Sequence, residues 1–244
     1  MIEAFNEYIK NYDLKEPYIK LKYDHSFRVM KLMENYARLL NYSEEDVYIA
    51  KLIGILHDIG RFPQYTKYAS DIDCQTMDHA DYGVKELFKN GKIKMFTQDE
   101  SIYPILEFAI KNHNKLNIPE QSDERILKFT KLIRDIDKLD IIYLLGYLKE
   151  EHYKITKEPI TKEVLDEFYS NQQIDITKCK IDNDWIVAQL AFTYDINNDI
   201  VLKEYKRNLT YYINNLDKEI FKNITDHIMK YIDERIEKYE GNRN

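Results

Sequence analysis

Glycine, proline and cysteine are all scarce in this chain: its 244 residues include only Gly 6, Pro 5 and Cys 2. With so few chain-breaking residues a turn-rich β architecture is excluded, and long helices are expected. Cys74 and Cys179 have no CxxC spacing, so neither a disulfide framework nor a thiolate metal site is expected. No stretch approaches the apolar length of a membrane span, and Met1-Ile2-Glu3-Ala4-Phe5-Asn6-Glu7 is not a basic segment leading into an apolar run. A cytoplasmic protein without a membrane partner is therefore expected. The Asn-x-Thr matches at Asn208 and Asn223 are read as chance. Positive charge is also in deficit. A net charge of -7 argues against nucleic acid polymers or anionic membranes as the main partner. A phosphate-bearing small molecule stays open, because a metal ion can supply local positive charge.

What is present is an ordinary globular composition, 44% hydrophobic and 32% charged, with an unusual Tyr 21. From Tyr18 to Leu40 the residues Ile19, Val29, Leu32, Met33, Tyr36 and Leu40 follow the three-four rhythm of an amphipathic helix that carries His25 on its apolar face. A second helix opens at Ser43 and ends near Gly60 and Pro63. Arg61 to Met77 has turn residues and no period, and is read as a loop. Asp78 caps a third helix with His79 in its first turn, and a fourth, from Ser101 or Tyr103, runs into His113. Asp123 and Glu124 open the longest helix, in which Asp137 falls on the apolar stripe of Ile133 and Ile141. Further on, Ile174 to Ile181 reads as extended. Helical periodicity returns in Trp185 to Tyr194, Val201 to Leu216 and Ile220 to Tyr239.

The costliest residues are His57 and Asp58, placed inside the apolar run Leu52-Ile53-Gly54-Ile55-Leu56-His57-Asp58-Ile59-Gly60. Burying an imidazole with a carboxylate calls for a compensating group, and a bound metal ion is a common one. His25, His79, His113 and Asp137 also sit at helix ends or on apolar stripes. Imidazole and carboxylate without thiolate suit divalent Mn, Fe, Co, Ni, Zn or Mg. The set exceeds what one tetrahedral ion takes and suffices for two, with one carboxylate bridging. His152 and His227 lie in polar surroundings and read as structural.

The order His25, His57-Asp58, Asp137 resembles the H…HD…D pattern of the HD-domain superfamily of metal-dependent phosphohydrolases. The likeness spans roughly Tyr18 to Leu148. It implies an all-α fold: an HD-type helical bundle over 1-150 with a mainly helical extension over 151-244 packed on it. It also implies metal ligation by His25, His57, Asp58 and Asp137, the last picked over Asp135 and Asp140 because the family ligand precedes a basic residue and a leucine, as in Asp137-Lys138-Leu139. His79 and His113 match the additional histidines of the binuclear subset, in which the aspartate of the HD pair bridges both ions.

The implied reaction is hydrolysis of a phosphate ester or anhydride, with a nucleotide as the expected substrate. Arg61 and Lys138 are the leading candidates for phosphate contacts, ahead of Lys115 and Arg134. Phe62, Tyr65 or Tyr68 could stack on a base. The Gly-Tyr-Pro signature of the cyclic-dinucleotide phosphodiesterases is missing after His113, so that activity is not expected. The same ligand set also serves diiron oxygenases of this superfamily, the alternative chemistry. A degenerate nucleotide sensor is the non-enzymatic alternative, and it predicts gaps in the ligand set. A homodimer is the default oligomeric expectation.

Overall fold

Several helix starts in this chain coincide with side chains that accept hydrogen bonds from the first free backbone amides. The computed structural model describes residues 1–148 and 153–241, and no strand occurs among them. Helix α1 is Ile2–Ile9. Glu16 accepts from Tyr18 N at the start of α2, Pro17–Leu39, with Pro17 in its first turn. Ser43 accepts from Asp46 N, 3.2 Å away, to open α3, Glu44–Leu56. Helix α4 is Arg61–Tyr68, and Asp78 caps α5, His79–Val84, through Asp81 N. A π-helical turn at Lys85–Lys89 and short 3-10 turns lead to α6, Tyr103–Asn112. Helix α7 is Glu124–Tyr143 and ends in a π-helical turn, Leu144–Leu148. Then come α8 (Lys162–Tyr169), α9 (Asp182–Ala191), α10 (Asp199–Ile213) and α11 (Lys218–Gly241).

The structure corrects two local expectations. Arg61 to Met77 is not a loop throughout: its first half is α4, with Pro63 in the first turn. The amide of a first-turn residue has no intrahelical acceptor, so proline starts this helix instead of breaking it. Ile174 to Ile181 is not extended either. Asp175 accepts from Thr177 N, 3.0 Å away, and winds Ile176–Lys178 into a 3-10 turn. The expected boundary at 150, and His152, lie outside the described residues.

The chain divides into two compact units, Met1–Ile136 and Asp137–Asn244, with the division falling inside the continuous helix α7. In the first unit α3 is buried on nearly every side, from Val47 through Leu56. That explains its apolar run, since a helix surrounded by others has no polar stripe. It lies closest to α2. A Cβ at Gly54 would stand 2.8 Å from Met30 Cα, so glycine is what allows the two backbones to approach. In the second unit α10 buries Val201, Leu202, Tyr205 and Leu209, while α11 buries Phe221, Ile224, Ile228 and Ile232. Arg235 of α11 reaches Asp199 at 2.8 Å and the Ile196 carbonyl at 2.6 Å. The start of α9 secures the polar stretch before it. Asn183 exchanges hydrogen bonds with the Thr156 backbone at 2.9 and 3.0 Å, and Asp184 accepts from Thr161 N, Thr161 Oγ1 and Lys180 N at 2.7–2.8 Å.

Candidate metal centre

His25 projects from the middle of α2, and His57 caps the end of α3 with Asp58 immediately after it. The turn closes through Ile59 N to Leu56 O (3.1 Å) and Arg61 N to Asp58 O (2.8 Å). Gly60 makes a second close approach. A Cβ there would lie 2.0 Å from the His79 carbonyl oxygen, so the turn and the first residue of α5 meet backbone to backbone. This contact brings His79 to Asp58, while His113 arrives at the end of α6.

Asp58 is 2% exposed, and its two oxygens face different histidine pairs. Oδ2 lies 3.5 Å from His25 Nε2 and 3.7 Å from His57 Nε2. Oδ1 lies 3.1 Å from His79 Nε2 and 3.6 Å from His113 Nε2. Within the pairs, His25 and His57 Nε2 are 3.2 Å apart and His79 and His113 Nε2 are 3.0 Å apart. Donor atoms on mutually perpendicular metal bonds of about 2.1 Å would lie about 3 Å apart, so each pair is spaced to share one ion of its own. Asp137 follows Ile136 on α7, one residue past the division between the two units. Burial pushes the Asp58 carboxyl up. The Lys22 and His57 charges, with hydrogen bonds from His113 and His79, outweigh it and hold it well below the usual carboxylate range.

The other ring nitrogens decide what the Nε2 atoms can do. His57 Nδ1 lies 2.8 Å from the Gly54 carbonyl and His113 Nδ1 2.7 Å from that of Ile110. A carbonyl only accepts, so both Nδ1 atoms carry the proton. His79 Nδ1 lies 2.7 Å from Asp73 Oδ2. Burial raises the Asp73 carboxyl, but the His79 hydrogen bond and the charges of His79 and Arg61 more than offset this, so Asp73 is an anion and an acceptor. With Nδ1 protonated, two neutral rings at His79 and His113 would point Nε2 lone pairs at one another across 3.0 Å. Only an additional cation, a proton or a metal ion, resolves that contact. The donor set fits hard or borderline divalent ions.

Around this centre, Lys22 Nζ lies 2.8 Å from Asp58 Oδ2. Arg61 Nη1 binds Gln64 Oε1 (2.7 Å), Asp71 O (2.6 Å) and Asp73 Oδ1 (2.8 Å), which leaves Nε 3.8 Å from Asp58 Oδ1. Arg61 Nε and Tyr18 Oη are buried and lack a hydrogen-bond partner among the described residues. Lys138 is 5% exposed, lies 2.7 Å from Asp195 and stands over the Phe192 ring. Lys115 pairs with Asp78 and Asp81. Arg134 is fully buried and its Nη1 caps the end of α6 at Asn112 O, 2.6 Å away. Phe62 is fully buried against Phe5, and Tyr65 stacks on Tyr18 with centroids 4.2 Å apart. His227 contacts Asn171 Oδ1 at 2.9 Å.

Sequence reasoning missed Lys22, Asp73 and Gln64. Lys22 did leave a signal, a cation one helical turn before His25. Asp73 left none, because it sits in an aperiodic segment beside the equally polar Asp71.

No helix among the described residues is long and apolar enough to cross a membrane. No curated protein and no solved structure matches the chain. Residues 23–142, which contain His25, His57, Asp58, His79, His113 and Asp137, match the HD domain. That stretch thus belongs to the HD-domain superfamily.

Proposed function

We propose that the protein hydrolyses a phosphate ester or anhydride of a nucleotide at a two-ion centre held by His25, His57, Asp58, His79, His113 and Asp137. The observation that carries this reading is the division of the Asp58 oxygens between two histidine pairs, each spaced for one ion. Divalent ions bound there supply Lewis acidity at phosphorus and acidify a water for attack. The protein's own groups hold the substrate. Arg61 is anchored through Nη1 so that Nε remains available beside Asp58, and Tyr18 Oη is a second buried donor without a partner. Burial raises the Tyr18 phenol well above its ordinary value despite the nearby Lys22 and Arg61 charges, so it keeps its proton to donate. Lys22 adds positive charge at Asp58 Oδ2. With its ammonium group paired to Asp195, Lys138 is assigned to the packing of its own unit, and the phosphate contacts go to Arg61, Tyr18 and Lys22.

The test is release of phosphate and nucleoside from a nucleotide panel with Mn or Fe(II), comparing the native chain with Asp58→Ala. Product from the native chain that disappears in the variant is expected. Ion binding with no hydrolysis of any nucleotide overturns the reading, and iron-dependent oxygen uptake turns it into the oxygenase alternative.

A further inference from the structure

Asp73 stands where four hydrogen-bond donors converge. Its Oδ1 accepts from Arg61 Nη1 at 2.8 Å and Gln64 Nε2 at 2.9 Å, and its Oδ2 from His79 Nδ1 at 2.7 Å and Asn114 Nδ2 at 3.0 Å. Every partner donates, so only a group that accepts on both oxygens satisfies them all. An asparagine of the same shape cannot. Wherever its NH2 points, two donors meet a third, and one pair must let go or change its protonation.

His79 is the partner that can change. If its Nδ1 has to accept, the ring proton moves to Nε2, and the nitrogen facing His113 and Asp58 Oδ1 stops being a ligand. Gln64 is fully buried, and its Nε2 also reaches Thr76 Oγ1 and Met77 O at 2.8 and 2.9 Å, so the segment carrying Asp73 is held from the α4 side. The two ion positions are supported unequally. His25 and His57 belong to the long helices α2 and α3, whereas His79 opens a six-residue helix and takes its orientation from Asp73.

We propose that Asp73 is the positioning residue that selects the ion-binding tautomer of His79, so that the ion shared by Asp58 Oδ1, His79 and His113 is retained only while that carboxylate is intact. This rests on the two-ion reading above. It also makes Asp73 the joint between the ion site and Arg61: one side chain sets the ligand atom of His79 and the position of the guanidinium.

The experiment is calorimetric titration of the metal-depleted full chain with Mn2+, for the native protein, Asp73→Asn, His79→Gln and Gln64→Leu. It is paired with nitrogen-15 NMR of the histidine rings in the metal-free state. Two ions are expected on the native chain. In Asp73→Asn, as in His79→Gln, one ion is expected to bind as before while the other weakens about 10–100-fold, the usual effect of losing a carboxylate behind a ligating histidine. Gln64→Leu loosens the same segment but leaves the carboxylate on His79, so it should keep both ions; a purely structural role for Asp73 predicts that it behaves like Asp73→Asn. The native His79 ring should carry a proton on Nδ1, and a ring protonated on Nε2 alone overturns the proposal even if Asp73→Asn fails to fold. Two undiminished ions in Asp73→Asn overturn it as well. A native chain that binds fewer than two ions overturns the two-ion reading itself, and this inference with it.

Discussion

At the scale of the residue, Tyr18 separates what serves stability from what serves function. A buried hydroxyl without a partner costs about 1–3 kcal/mol, and the Tyr18 oxygen has none among the described residues. Tyr18→Phe keeps the ring stacked on Tyr65 and should therefore raise the midpoint of thermal unfolding. If Tyr18 Oη meets a phosphoryl oxygen, the same variant should raise KM several-fold with a smaller effect on kcat. Scanning calorimetry and steady-state kinetics on one preparation check both, and a stabilised variant with unchanged KM removes Tyr18 from the site. Legibility differed from residue to residue. His57 and Asp58 stood out because charge interrupts an apolar run. Asp137 was picked by its place on the apolar stripe and by the ligand pattern of the family; in the structure it is only half-buried, whereas Arg134, Asp135 and Asp140 around it are buried. Arg134 ranked as a weaker candidate for a phosphate contact; its Nη1 meets backbone carbonyls instead, which sequence does not display.

Among the elements, close backbone approach decides where ligands stand. Gly60→Ala would drive a Cβ against the His79 carbonyl, where no side chain can rotate away. The variant is expected to remain helical by circular dichroism yet lose about one to three kcal/mol of stability, as overpacked sites do, and to bind the His79 ion more weakly. Full ion binding in a variant of native stability would show that the turn and α5 tolerate separation. At the start of α9 the effect is one of pH. Burial pushes Asp184 up, but backbone hydrogen bonds from Lys180, Thr161 and Ile181 and the Thr161 hydroxyl bring it below the usual carboxylate range. A group depressed in the folded state stabilises fully above its unfolded value of about 3.9 and loses that contribution as pH falls toward the folded value. Denaturant melts of the native chain should thus weaken below about pH 4, and Asp184→Asn should flatten that dependence while lowering stability at pH 7. An unchanged pH profile in the variant rules Asp184 out as its source. The helices were legible wherever a cap preceded an apolar period, as at Ser43 and Asp78. Helix α4 was not, because Pro63 reads as a stop unless the helix is already known to begin at Arg61.

For the whole molecule, the scarcity of glycine and proline favoured long helices and the family resemblance implied the all-α fold, whereas the division inside α7 left no trace in composition. Ions that bind only the folded chain stabilise it by mass action, about 2.7 kcal/mol at a hundredfold excess over Kd. Unfolding is thus expected at a higher temperature with Mn2+ than with a chelator, and Asp58→Ala should lose most of that difference. Equal midpoints for the native chain under both conditions would mean that its folded state gains nothing from ions. The positions of the ligands give this effect a topological side. His25, His57, His79, His113 and Asp137 come from stretches more than a hundred residues apart at the extremes. An ion gripping them would close long loops that the unfolded chain must reopen, as a covalent staple does. In a protein with only two cysteines, Cys74 and Cys179, imidazole and carboxylate would then provide reversible cross-links, set by metal supply instead of by redox state.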